Sequence, residues 1–408
     1  MNWRLRRLAG APDGTSGSTD GTFDDARFDK PLDLVLSADE EQLYIADANN
    51  GIRRLILDGN TVYTYSSLTD IPRWDTTGTL SGRARNLSIT TAGMIRVTAD
   101  NATPGDPGVI FELDTLMGTQ ESSLSTAGTL GAIDHDPSGD TATVKMHINE
   151  AGTGWGTLAL NGPDRGTITE PPVIPDPPFC DPPTNSVPVQ VMTVRDADST
   201  EDSGLARVGS IVVAFYRLPG GTGSGVVAFD PWNETAFPSP YTTCTTPTDP
   251  TSVSVVCSGN IATLIPPWSA TRGPDDPLTG LPTVIGAAWR SPNGVLLRAV
   301  LDEVNATLNV DYDLVPELVD LPVIGVAYSP MRQAFYFTTA AVWGDPGTNA
   351  FPNQVLEFKL LPDPPIYMGG SGRIPIGGVV KPTGAVGIID EDGDVLADEG
   401  DDILIFGG

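Results

Sequence analysis

Histidine is almost missing from this chain of 408 residues, which has only His135 and His147. Both fall in one short stretch, so a metal centre built from histidines on several parts of a fold is all but excluded. Lysine is nearly as scarce: Lys30, Lys145, Lys359 and Lys381 are the only four among 23 basic residues. Against 52 acidic residues this leaves a formal charge of −29 and a pI of about 4.1. A field of that sign repels phosphate backbones, so nucleic acid is excluded as a partner. The acid excess suits a saline or high-GC source, or is plain compositional bias. No apolar run approaches the ~18 residues of a membrane-spanning helix. The N-terminal MNWRLRRLAG begins basic but has no apolar core, so it does not read as a signal peptide. Long amphipathic helical patterns are missing. So are a Gly-x-Ser-x-Gly elbow, a phosphate loop and a Cys-His nucleophile pair. Cysteine is limited to Cys180, Cys244 and Cys257. Cys244 and Cys257 bracket a Thr/Pro-rich loop, and either close a hairpin-like disulfide or remain free thiols in strands.

What the chain has in quantity is glycine (45) and proline (37), with charged residues at only 18%. That composition belongs to many strands joined by turns. One plan recurs: an apolar strand, a turn, a second apolar strand, a loop, and a strand ending near an acid. It is seen from Leu32 (LDLVLSADEEQLYIADANNGIRRLIL), Arg85, Gly131, Val189, Val284 and Val323. The irregular spacing, roughly 40–60 residues, is that of propeller blades with loop insertions. Each unit buries both faces against its neighbours, so one copy alone would not be stable. The fold predicted is an all-β propeller over residues 1–361 with six blades. The long gap after the fourth copy holds either a seventh blade or an insertion around Cys244 and Cys257. Within the propeller, residues 166–188 are Pro-rich and predict an extended strap or linker. Residues 362–408 are Gly-rich and then acidic, and predict a C-terminal β extension that anchors or oligomerises the chain.

The stretch from Gly17 to Arg54 carries more specific marks. Gly17, Asp20 and Gly21 lead it, followed by Ala26, Phe28 and Pro31. A strand then ends in Tyr44-Ile45-Ala46-Asp47, before Asn50 and Ile52-Arg53. This order resembles one NHL repeat; the other copies share only its strand pattern. The resemblance covers about a tenth of the chain closely, and it implies a β-propeller. It also implies that Leu8-Ala9-Gly10 ends the outer strand of the last blade. Residues 2–10 would then lie beside Asn353–Leu360 and close the ring. Asp47, Asn50 and Arg53 are expected to fix the blade turn through side-chain-to-backbone bonds and an ion pair.

Two further groups are candidates for binding. Trp74, Trp155, Trp232, Trp268 and Trp343 stand next to Pro, Gly, Asp or Thr in predicted loops. They either form platforms for sugars or proteins or plug gaps between blades. Asp390, Asp392 and Asp394 alternate like the start of a calcium loop. Gly393 falls too early and Val395 stands where glycine belongs, so a hairpin turn with solvated acids competes with a calcium site. Apart from that possible calcium, no cofactor is indicated. The expectation is a non-enzymatic structural or recognition subunit of an extracellular assembly, with a bacteriophage virion (tail tip, fibre or capsid decoration) as its setting. Lysis would release such a subunit without a signal peptide. Its partners would be other protein subunits and a cell-surface glycan or receptor. A surface adhesion or scaffold propeller, and a calcium-dependent lactonase or lyase, are the alternatives.

Overall fold

A computed structural model of the chain describes residues 2–48, 50–66, 84–90, 93–99, 109–114, 119–125, 130–135, 141–148, 152–159, 168–169, 205–208, 211–217, 224–229, 269–290, 293–302, 304, 307–319, 323–339 and 353–361. Among them every regular element is a strand. The chain is a β-propeller whose described strands belong to the compact unit Trp3–Leu361. It starts with β1 (Asn2–Ala9). The first complete sheet holds β2 (Gly21–Thr22), β3 (Pro31–Leu36), β4 (Gln42–Asp47), β5 (Gly51–Ile56) and β6 (Thr61–Ser66). Next come β7 (Ala84–Ile89), β8 (Met94–Ala99), β9 (Val109–Asp114) and β10 (Thr119–Ser125). A third sheet has β11 (Leu130–His135), β12 (Thr141–Ile148), β13 (Gly152–Ala159) and β14 (Ile168–Thr169). A fourth has β15 (Leu205–Val208), β16 (Ile211–Arg217) and β17 (Ser224–Phe229). A fifth has β18 (Ala270–Arg272), β19 (Thr283–Arg290), β20 (Asn293–Asp302) and β21 (Thr307–Val319). The last joins β22 (Val323–Ser329), β23 (Ala334–Thr339) and β24 (Gln354–Leu361) to β1.

The innermost strands neighbour one another in the cyclic order β3, β7, β11, β15, β18, β22 and back to β3. Each pairs with its own sheet on one side only, so its other edge faces the centre. Second strands are buried on both faces, which is why QLYIAD in β4 and AFYFTT in β23 are nearly continuous in apolar and small residues. The core lies between adjacent sheets. Leu8, Leu34, Ile45, Tyr336 and Val355 pack together where the last sheet meets the first. Tyr44, Ile52, Leu87, Val97 and Leu113 join the first and second sheets. Ile285, Leu296, Phe335, Phe337 and Phe358 join the fifth and last.

Several details differ from the sequence expectation. The inner strand of the fourth sheet is Leu205–Val208, while the VQVMTV run at 189–194 lies outside the described residues. The fifth sheet begins at Ala270–Arg272, so the strand at Val284 is its second, not its first. Ile168–Thr169, inside the Pro-rich segment 166–188, is an outermost strand paired with Leu158 and Thr157. The rest of that segment and residues 362–408 lie outside the described residues.

The N-terminal strand closes the ring by pairing with β24. Leu8 and Ala9 are buried there. Gly10 turns the chain out with φ +107°, and a Cβ at this position would lie 2.7 Å from the carbonyl oxygen of Asn353. Gly10→Ala should therefore lower the unfolding free energy by about 1–3 kcal/mol. Urea unfolding measures this, and a loss of only a few tenths would contradict it.

Candidate functional site

The blade-turn residues form one buried network. Arg53 is fully buried, and its guanidinium donates to the carbonyls of Arg27 (2.7 Å) and Thr19 (2.9 Å). It also meets Asp20 at 2.8 Å and Asp47 at 3.5 Å, and lies 5.4 Å from the centre of the Phe28 ring. Asp47 accepts from the backbone N–H of Asp29 (2.8 Å), and Asn50 donates to both Asp47 (2.7 Å) and the Gly17 carbonyl (2.8 Å). Pro31 starts β3 opposite Asp47, and Gly21 starts β2 with φ +149°. The hydrogen bonds of this set fasten the lead segment to β4 and β5. The arrangement holds a turn and presents no ligand.

A second fastening joins the last sheet to the first. Arg332 grips Asp58 with both terminal nitrogens (2.9 and 2.8 Å) and donates to the Glu40 carbonyl (3.1 Å). The Glu40 carboxylate in turn accepts from the Ser329 hydroxyl and from the N–H of Met331.

The geometry with room for a ligand is at the centre. A cavity of about 250 Å³ is lined by parts of β3, β7, β11, β18 and β22 together with Ser269. At its inner end sits Asp33, buried in an otherwise apolar strand. Four inner strands carry a register shift at their start, at Pro31/Asp33, Ala84/Asn86, Leu130/Ile133 and Val323/Val326. A bulge leaves strand N–H groups without ladder partners. Side chains take them over. Asp33 accepts from Leu87 N (2.9 Å) and Asn86 Nδ2 (3.3 Å) on the next sheet and from its own neighbour Leu34 N (2.9 Å). Ser269 accepts from Val326 N (3.3 Å) on the sheet after its own. Gly325 stands where the last sheet approaches the first, and a Cβ there would lie 2.9 Å from the Asp33 Cα.

Burial dominates the acidity of the two inner carboxyls. It raises Asp33 to about 6, against the opposing hydrogen bonds from Ser269, Leu87, Leu34 and Asn86. It raises Asp47 to about 7, against Asn50, Asp29 N–H and the Arg53 charge.

Of the tryptophans named from the sequence, Trp155 stands within β13 in register with Lys145, not in a loop. Pairing with β12 overrides the loop preference of its glycine neighbours. Trp74, Trp232, Trp268 and Trp343 lie outside the described residues, as do Cys244, Cys257, Asp390, Asp392 and Asp394. Asp33, Ser88 and Ser269 were missed by sequence reasoning. The one available signal was an acid inside the apolar run PLDLVL.

No protein-family model and no curated protein matches the chain. Solved structures are similar to it. An auxiliary nutrient binding protein from Bacteroides thetaiotaomicron is 13% identical, with a TM-score of 0.57 over 88% of this chain and 76% of its own. The major Malassezia sympodialis allergen Mala s 1 is 12% identical, with a TM-score of 0.50 over 86% and 96%. A PQQ-bound aldose sugar dehydrogenase from Streptomyces coelicolor is 13% identical, with a TM-score of 0.50 over 88% and 98%. At these identities the likeness shows the fold alone. The NHL likeness is a resemblance of Gly17–Arg54.

Two measurements follow. Arg53→Ala leaves buried carbonyls and Asp47 without their cation and should cost about 3–5 kcal/mol, whereas Arg332→Ala at the surface should cost about 1 kcal/mol. Equal losses in denaturant titrations would contradict this. Asp33 and Asp47, with ordinary values of 3.8, keep their protons in the native state to about 6 and 7. The native state thus binds more protons than the unfolded chain across that window. Their contribution to stability is full below pH 3.8 and is lost as pH rises through 6 and 7. Melting temperature should rise from pH 8 to pH ~5, less steeply in Asp47→Asn. An equal slope in that variant would contradict the assignment to Asp47.

Proposed function

We propose that this chain is a non-enzymatic β-propeller serving as a structural or recognition subunit of a larger extracellular assembly. The observation that carries this reading is the use made of Asp33. It is the carboxylate lining the central cavity, and its oxygens already accept from two backbone N–H groups and an amide. A general base or metal ligand needs lone pairs directed at a substrate or ion. This one is directed at neighbouring strands. The similar structures include a nutrient binding protein and a dehydrogenase, so the fold favours neither class.

In this reading the ring has six blades, supported by the cyclic neighbourhood of the six innermost strands among the described residues. Residues 362–408 add strands to a neighbouring subunit and anchor the propeller. The acid-rich, lysine-poor surface keeps a concentrated particle soluble. The virion of a bacteriophage is the setting we infer, with a surface glycan or protein as the partner.

Electron microscopy of native material containing the chain tests this. Copies at fixed, symmetric positions on a particle are expected, and truncation at Leu361 should release them. A free disc of propeller size in native material would overturn the assembly reading.

A further inference from the structure

Asn50, which joins Asp47 to the lead segment, is followed by Gly51. A residue without a side chain leaves its backbone nitrogen free to reach the side-chain carbonyl of the asparagine before it. The nitrogen of Gly51 then bonds to Asn50 Cγ, the Cγ–Nδ2 bond breaks, and ammonia leaves with the Gly51 amide proton. Water opens the cyclic imide at one of its two carbonyls. The product is aspartate, or isoaspartate, in which the main chain runs through the former side chain. One water enters, one ammonia leaves, and nothing is oxidised or reduced.

The folded chain works against this reaction. Nδ2 of Asn50 donates to Asp47 Oδ2 (2.7 Å) and to the Gly17 carbonyl (2.8 Å), and its backbone N–H donates to the Asp47 carbonyl (2.9 Å). The nitrogen that must leave is held by two acceptors, and its departure costs both bonds. Gly51 is itself buried, has φ +95°, and opens β5 opposite Asp47. Once the amide is lost, the fastening has no donor. A carboxylate only accepts. At residue 50 it would face the Asp47 carboxylate and the Gly17 carbonyl, acceptor against acceptor. Arg53 is already engaged with Arg27, Thr19, Asp20 and Asp47, and Asp29 adds to the negative field at Asp47. Isoaspartate also lengthens the main chain by one carbon at the turn between β4 and β5.

We infer that Asn50-Gly51 is a deamidation site which the folded network keeps closed, and which, once spent in an opened chain, stops the lead segment from fastening to the first blade again. Opening of this segment then becomes irreversible with time. The modification is a one-way covalent record of how long the turn has been open. The inference is separate from the assembly reading, since a propeller built into a particle and a free one would both carry the site.

Peptide mass spectrometry on the full chain tests this, with native protein and protein in guanidinium chloride incubated side by side at pH 8. Deamidation adds about one dalton, and fragmentation separates residue 50 from the Asn-Gly pairs at Asn161 and Asn293. Residue 50 should convert at least about tenfold faster in the unfolded chain than in the native one. After dilution from denaturant, the refolded fraction should retain Asn50, and chains modified there should stay unfolded or melt at a lower temperature. Asn50→Asp, which is one of the two products, should likewise melt lower at pH 8. The comparison of conversion rates needs neither refolding nor the variant. Three results would overturn the inference: equal conversion in native and unfolded protein, modified chains that refold and melt like unmodified ones, or an Asn50→Asp protein that melts like the wild type.

Discussion

The pairing of the first strand with the last sheet is the constraint on which the rest depends. A propeller blade is a small sheet with two apolar faces and cannot stand alone. Each face finds cover only because another blade follows, and the last blade is covered only if the ring closes. β1 does this by adding the chain's opening residues to β24. The closure is secured beyond the ladder. Gln354 donates to the Ala11 carbonyl (2.6 Å), and Asn353 reaches the Gly14 carbonyl (3.1 Å) and accepts from Lys30 N (3.0 Å). One short segment thus ties the last sheet to the residues that lead from β1 into the first blade.

Charge is used in this molecule mainly as a fastener. Buried Arg53 holds the lead segment, Arg332 holds the last sheet to the first, and Asp33 and Ser269 cap N–H groups across sheet boundaries. The two caps follow one rule: a side chain at the start of an inner strand, or just before it, serves the next sheet around the ring. In the last sheet that place falls to Gly325, where close approach to Leu32 and Asp33 leaves no room for a side chain. There Leu34 N turns to its own neighbour, Asp33. The result is a central cavity whose lining carboxylate, Asp33, is already held by strand N–H groups and an amide.

The strand order and the ring closure were legible because the first repeat writes its turn chemistry into specific residues. Asp47, Asn50 and Arg53 can be read as a turn network from their residue types, while Leu8-Ala9-Gly10 as the end of an outer strand is what the resemblance of Gly17–Arg54 to an NHL repeat implies. Other parts left no such trace. Ala270–Arg272 is three residues long and has no apolar pattern to mark it. Trp155 looked like a loop residue because Gly152, Gly154 and Gly156 surround it, yet all pair along β12. The cavity was beyond reach for a different reason. Asp33, Ser88 and Ser269 come from three sheets, and only the closure of the ring brings them to one place.

Native-state hydrogen exchange measured by mass spectrometry tests the closure most directly. Peptides covering residues 2–9 should be protected to the same degree as those covering 42–47 and 354–361, and all should open together with the whole propeller. Fast exchange of 2–9 beside a protected 42–47 would mean that the first strand frays from the last sheet, and that something other than this pairing holds the ring.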